Sequence, residues 1–245
     1  MSADNSMPGP TTVSLDDEEG VKRIVIDTLF GLWASVNTLS RLRPSKRNRY
    51  RVAVFGSART DPGHWVYQEV RRMTAALSAL GIDIVTGGGP GLMQAANEGA
   101  RQSGAPERVQ SVGIRVELPF EQQANPFVEE AFEHQTFFTR LHHFVLLSDA
   151  YIVVPGGIGT VLESMMIWQL LQVRHLDDIP LIFAGPMWKG LVDWASASML
   201  RPGLELAGPA DVKIPHCVDN AEQAIAVVRE HHARWLSDQG AEGER

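Results

Sequence analysis

Apolar residues recur along this chain in two rhythms. Val21, Ile24, Val25, Leu29, Leu32, Trp33, Val36 and Leu39 fall at spacings of three and four, which predicts an amphipathic helix from 17 to about 42. From residue 51 onward, short apolar runs alternate with helical stretches. The runs at 51–56, 82–86, 109–116, 150–154 and 179–184 predict strands. The stretches at 65–80 (closed by Gly81), 91–102, 136–147, 159–173, 187–200 and 220–235 predict helices. Strands that are apolar throughout need cover on both faces, and the intervening helices can supply it. The pattern therefore predicts an α/β, Rossmann-like doubly wound parallel sheet with helices on both faces, plus an N-terminal helical extension.

Composition divides the chain further. Residues 1–16 are rich in Ser, Pro, Gly, Asp and Thr and predict a disordered N-terminus. Residues 17–48 comprise the N-terminal helix and a basic linker, and 49–240 a Rossmann-like nucleotide-binding domain. The run at 41–51 holds several arginines and Lys46, but the whole chain carries a formal net charge of -7. A solvated linker is the better reading, and neither nucleic acid nor a membrane is expected as a partner. Cys217 is the single cysteine, so no internal disulfide can form; a small packed residue is expected there. The first twenty residues lack a basic segment followed by an apolar one, and no apolar run is long enough to span a bilayer. The expected location is cytoplasmic.

The glycines are placed unevenly. In a parallel sheet, ligands bind at the carboxyl ends of the strands, where the loops into the helices lie. Three such junctions stand out: Gly56-Ser57-Ala58-Arg59, Gly87-Gly88-Gly89-Pro90-Gly91-Leu92-Met93 and Pro155-Gly156-Gly157-Ile158-Gly159-Thr160. Glycine lets a ligand approach the backbone, and the following helix offers free N–H groups and the positive end of its dipole. Tight turns between strand and helix also need glycines, but two loops this rich favour a phosphate cradle. Neither loop is a Walker motif or a G-x-G-x-x-G fingerprint. The residues alone imply a site for a mononucleotide or sugar phosphate.

Two charged residues could do chemistry beside such a cradle. Glu163 follows Gly159 by four positions, early in the predicted helix, where the dipole would favour its ionised form. It is either a ligand-facing carboxylate or a surface residue complementing the dipole. Arg140 sits among Phe137, Phe138, Leu141, Phe144 and Val145, so it must find an anionic partner or reach out to solvent. His134, His142 and His143 cluster nearby but lack cysteine ligands and an H-E-x-x-H pattern, and no metal is expected.

At 85–93, Arg140, Ser148-Asp149-Ala150 and the stretch from Pro155 to Glu163, the chain resembles the LOG (Lonely Guy) family, whose members are often labelled lysine decarboxylases. The pattern P-G-G-x-G-T-x-x-E is met at every fixed position, and the likeness runs from about 52 to 194. The resemblance implies hydrolysis of a nucleoside 5′-monophosphate, typically AMP or a cytokinin riboside monophosphate. Water would cleave the N-glycosidic bond, leaving free base and ribose 5-phosphate, with no cofactor. It also implies Arg140 and Glu163 as the catalytic pair, with Gly156, Gly157, Gly159 and Thr160 on the phosphate. Gly56, Ser57, Gly88, Gly89, Gly91, Met93 and Pro155 complete the expected nucleotide-binding set. A homodimer or larger homo-oligomer, with sites near the subunit contact, is implied as well. The chain departs from the family at Leu141, commonly lysine, and at Leu162, commonly a first glutamate. The alternative is a non-catalytic nucleotide or molybdenum-cofactor carrier of the same fold, which would have no need of the Arg140–Glu163 pair. A true lysine decarboxylase would need a pyridoxal-phosphate lysine, and Lys22, Lys46, Lys189 and Lys213 lie in no matching context.

Overall fold

A computed structural model of the chain describes residues 14, 16–39, 49–102, 109–117 and 123–243. The chain divides into two units, Met1–Ser45 and Lys46–Arg245. The first holds helix α1 (Glu18–Leu39). Asp17 starts it, its side chain accepting from Gly20 N–H at 3.0 Å and its carbonyl from Val21 N–H at 2.9 Å. Glu18 and Glu19 complement the positive end of the dipole. The expected disordered stretch at 1–16 and the basic linker fall almost entirely outside the described residues.

The second unit follows the order β1 (Arg51–Phe55), α2 (Trp65–Ser78), β2 (Asp83–Thr86), α3 (Leu92–Gln102), β3 (Ser111–Val116), β4 (Glu130–His134), α4 (Phe137–Leu147), β5 (Ala150–Val153), α5 (Ile158–Gln172), β6 (Leu181–Ala184), α6 (Pro186–Met199), β7 (Pro215–Val218) and α7 (Ala221–Gly243). All seven strands are parallel, in the order β4-β3-β2-β1-β5-β6-β7. The chain therefore starts at the centre, builds outward to β4, then returns to the other side of β1 and builds outward again. Between β1 and β5 the loops diverge, and in such folds a ligand crevice opens at that reversal.

Successive strand residues feed two separate cores. On one face Val52, Val54, Ile84, Ile152 and Ile182 pack beneath Tyr67, Val70, Met73 and Leu77 of α2, Ala95 and Ala96 of α3, and Ala224 and Val228 of α7. On the other, Ala53, Phe55, Val85, Tyr151, Val153 and Phe183 meet Phe144, Ile167, Trp168 and Trp188. Each large side chain buried this way contributes about 1.5–3 kcal/mol. The doubly wound sheet anticipated from the apolar runs is thus the observed fold.

Two strands have no counterpart in the apolar pattern, and both are edges. In β4 (EAFEH) no residue is fully buried, so selection for apolar side chains is weak. In β7 (PHCV) only the end residues are buried; Cys217 points outward and is exposed, contrary to the packed position expected for it. The last helix also runs to Gly243, beyond the expected end at 235.

His134, at the end of β4, brings Nε2 within 2.9 Å of Nδ1 of His143 on α4, and Phe132 lies edge-on against His143. Burial, with the neighbouring imidazoles and Arg51 adding to it, pushes His143 down to about 4. The unfolded chain takes up this proton near pH 6.5, before the native state does. The stabilisation is therefore fully present above that pH and is lost as pH falls toward 4. Urea denaturation at pH 7.5 and 4.5 should show a lower midpoint in acid, and His143→Gln should reduce that difference.

Candidate active site

Backbone hydrogen bonds tie three loops together at the carboxyl edge of the sheet. Ser57 N–H donates to Pro155 O at 3.0 Å, and Ser57 O accepts from Leu92 N–H at 2.8 Å. The β1–α2, β5–α5 and β2–α3 loops therefore meet at one residue. Their closeness explains two of the glycines. Gly56 is wedged between Val154 and Leu92; a Cβ there would lie 2.5 Å from Val154 Cγ2. Gly91 adopts φ +69°, and a Cβ would drive into Ser57 O.

The remaining glycine positions fall into two kinds. Gly87 faces Arg140 and Met93: a Cβ would collide with Arg140 Nη2 and lie 2.7 Å from Met93 Sδ. Gly156 lies against the side chain of buried Thr160. By contrast, Gly157 and Gly159 look into open space, with no heavy atom within 4 Å of an added Cβ. Gly157 is the N-cap of α5 and has no side chain to satisfy the helix's first N–H groups. That end of α5 thus carries no side-chain cap and has open space beside Gly157 and Gly159.

Arg140 and Glu163 come together at this edge. Arg140 Nη1 donates to Glu163 Oε1 at 2.8 Å, and each side chain is only 11% exposed. Arg140 is fixed on two further sides: Nε donates to Ile114 O at 2.8 Å, and the guanidinium lies 5.2 Å from the Phe144 ring centroid. It does not reach out to solvent, and Glu163 is not a surface residue. The sequence suggested that the dipole would favour the ionised Glu163. Burial dominates instead and raises its pKa, while the Arg140 charge and hydrogen bond pull it back. Leu141, in the position where the LOG pattern commonly has lysine, is buried.

A buried polar network behind the glycine loop escaped the sequence reading. Gly88 N–H donates to Thr86 Oγ1 at 2.9 Å, and Thr86 Oγ1 donates to Asn97 Oδ1 at 2.7 Å. Asn97 Nδ2 reaches Ser111 Oγ at 2.8 Å. Asn125 N–H donates to Gly88 O at 2.8 Å, and its Nδ2 donates to Gly89 O and Asn97 Oδ1, both at 3.0 Å. The one local signal was Asn125 before Pro126, a turn dipeptide. Arg115, against Gly88 and 2.9 Å from Glu133, was likewise unforeseen. Of the three histidines, His134 and His143 bond to one another, and among the described residues no group of three His, Cys, Asp or Glu side chains could hold a metal.

Residues 93–228 match the family model described as "Possible lysine decarboxylase", more than half of the chain. A pyrimidine/purine nucleotide 5′-monophosphate nucleosidase of Escherichia coli K12 is 29% identical over 141 residues, 55% of this chain. That stretch is 31% of the nucleosidase, so the chain spans about a third of the curated relatives it matches. Among solved structures, the molybdenum cofactor carrier protein of Chlamydomonas reinhardtii superposes with TM-score 0.54 at 18% identity, covering 76% of this chain and 99% of that one. The molybdenum cofactor binding protein of Rippkaea orientalis gives 0.56 at 17%, covering 76% and 98%. At these identities the structures establish a shared fold.

The two kinds of glycine should respond differently to a methyl group. Gly91→Ala, strained at positive φ and clashing with Ser57 O, should cost more than about 2 kcal/mol in urea denaturation. Gly159→Ala, on an open helical turn, should stay within about 1 kcal/mol of the parent.

Proposed function

We propose, from the premise that the chain belongs to the LOG-like family described as "Possible lysine decarboxylase", that it hydrolyses the N-glycosidic bond of a nucleoside 5′-monophosphate. The observation carrying this reading is the buried Arg140–Glu163 pair, with Arg140 against Gly87 of one glycine-rich loop and Glu163 on the helix that the other opens. The likeness to a nucleotide 5′-monophosphate nucleosidase over 55% of the chain supports it. The word decarboxylase in the family description finds no support at Lys189, which is engaged on the surface of α6 with Asp193 at 2.8 Å.

In this reading the 5′-phosphate lies on the open N-terminus of α5, at Gly156, Gly157, Gly159 and Thr160, and against the loop of Gly88, Gly89, Gly91 and Met93. The backbone turn at Gly56, Ser57 and Pro155 fixes how far apart those two loops stand. The phosphate anchors the ribose so that C1′ stands over Glu163. As the bond to the base breaks, its electron pair leaves with the base and positive charge grows on the ribose. The Glu163 carboxylate stabilises that charge and takes a proton from the water that adds to C1′. Arg140 opposes the rise that burial causes in the Glu163 pKa and so favours the carboxylate form. The products are free base, which takes up a proton, and ribose 5-phosphate; neither metal nor redox cofactor enters the scheme.

The test is incubation of the purified chain with AMP and with a cytokinin riboside monophosphate, followed by chromatography for free base. Base release is expected, and Glu163→Ala and Arg140→Ala should each lower kcat by about 10²–10⁴-fold. In Arg140→Ala the residual acid limb of the kcat–pH profile should move to higher pH, because burial then acts on Glu163 unopposed. Absence of base with both substrates, alongside nucleotide binding that survives Glu163→Ala, would sink hydrolysis and favour the carrier reading. The homo-oligomer implied by the resemblance would cover Phe138 and Ile158, which stand 81% and 87% exposed beside the site. Sedimentation at micromolar concentration should show a species of at least two chains, and Phe138→Glu should shift it toward one.

A further inference from the structure

The β3–β4 connection ends in a segment that lies over the face of the sheet at Gly113, where the absent side chain leaves room for it. Val128 seats there: a Cβ on Gly113 would come within 3.1 Å of Val128 Cγ1. The segment is pinned at its far end by Glu129 N–H, which donates to Ser111 O at 2.8 Å. Asn125 stands at the other end, against the glycine loop, and only 7% of it is exposed.

Every polar group of the Asn125 side chain is used. Nδ2 donates to Gly89 O and to Asn97 Oδ1, and Oδ1 accepts from Phe127 N–H at 3.1 Å. Its main-chain N–H takes Gly88 O. Two successive carbonyls of the loop are therefore turned toward the segment and held there. Among the described residues, the N–H groups of Gly89 and Gly91 meet no acceptor. A peptide plane whose carbonyl is tied on one side presents its N–H on the other. Gly88 O shares its plane with Gly89 N–H, so tying that carbonyl to Asn125 N–H turns the donor toward the site. Gly89 O shares its plane with Pro90, which has no N–H, so there the Asn125 amide acts by holding the carbonyl dipole away from a phosphate.

We propose that Asn125 is a positioning residue that sets nucleotide affinity by holding the Gly88–Gly89 carbonyls away from the site, an inference that rests on the function proposed above. It touches no reacting atom in that scheme and acts through the loop, so its loss should appear in binding and leave the bond-breaking step nearly intact.

The experiment compares Asn125→Ala, Asn125→Asp and Val128→Ala with the parent chain. AMP dissociation constants come from calorimetry, kcat and KM from base release, and stability from thermal melting. Asn125→Ala should raise the dissociation constant and KM for AMP about ten-fold and change kcat less than three-fold, the scale expected for one buried hydrogen-bond clamp. Asn125→Asp keeps the acceptor for Phe127 N–H but turns a carboxylate oxygen toward Gly89 O and Asn97 Oδ1, so its loss should be at least as large. Val128→Ala loosens the same segment by packing alone; it should lower the melting temperature and leave the dissociation constant within two-fold. Should Asn125→Ala fail to fold, Asn125→Ser, which keeps a short acceptor but cannot span to Gly89 O, carries the same expectation. Unchanged AMP affinity in folded Asn125 variants would overturn the proposal, and so would an equal loss in Val128→Ala. A parent chain that binds and cleaves no nucleoside monophosphate would refute the function itself, before any variant is compared.

Discussion

A carboxylate withdrawn from water can stay ionised only if the fold delivers a counter-charge to it, and Glu163 puts that demand on the carboxyl edge of this sheet. Its partner, Arg140, comes from a different helix and is held by three contacts at once: the Glu163 carboxylate, the Ile114 carbonyl and the Phe144 ring. Those contacts require β3, α4 and α5 to hold fixed positions relative to one another. The cost of burying either charge alone is several kcal/mol, so the pair is also a geometric constraint on the elements that carry it. Gly87 yields to it as well, since any side chain there would occupy the space of the guanidinium.

Around that pair the loops divide their polar groups by direction. Ser57 joins three loops through its own N–H and C=O, leaving its short side chain to cap Arg59 N–H at 3.0 Å. The glycine loop after β2 has its carbonyls engaged from behind by Asn125 and its first turn braced by Thr86 and Asn97. The start of α5 has no side-chain cap. The amino edge, in contrast, closes on itself: buried Asp83 accepts from Arg49, from Gln110 N–H and, at 3.5 Å, from Arg51. Donors are satisfied at one end of the sheet and left available at the other, which is the polarity a phosphate site needs.

What could be read from the sequence follows from how strongly each position is buried. The strands β1, β2, β3, β5 and β6 lie inside the sheet, must be apolar on both faces, and show as continuous runs. Arg140 and Glu163 stood out as candidates, a charge among phenylalanines and a glutamate a turn beyond a glycine loop, but that they meet came only from the LOG resemblance and the structure. Asn125 and Asn97 were not, because a buried amide in a network leaves no periodic trace and its partners are distant in sequence: Asn125 to Gly89 spans thirty-six positions. The direction of the Glu163 pKa shift was misjudged for the same reason, since desolvation depends on what packs above a residue rather than on its place in a helix.

The two strands that escaped notice also govern how the molecule meets copies of itself. An outermost strand offers a row of unpaired backbone groups that invites another sheet to continue it. Here β4 ends the sheet with Glu130 and Glu133, so a second β4 laid alongside would bring like charges together. At the other margin β7 begins with Pro215, which has no N–H to give. The weak apolar signal of these segments is thus the mark of a guarded border, one that discourages a second sheet from continuing this one.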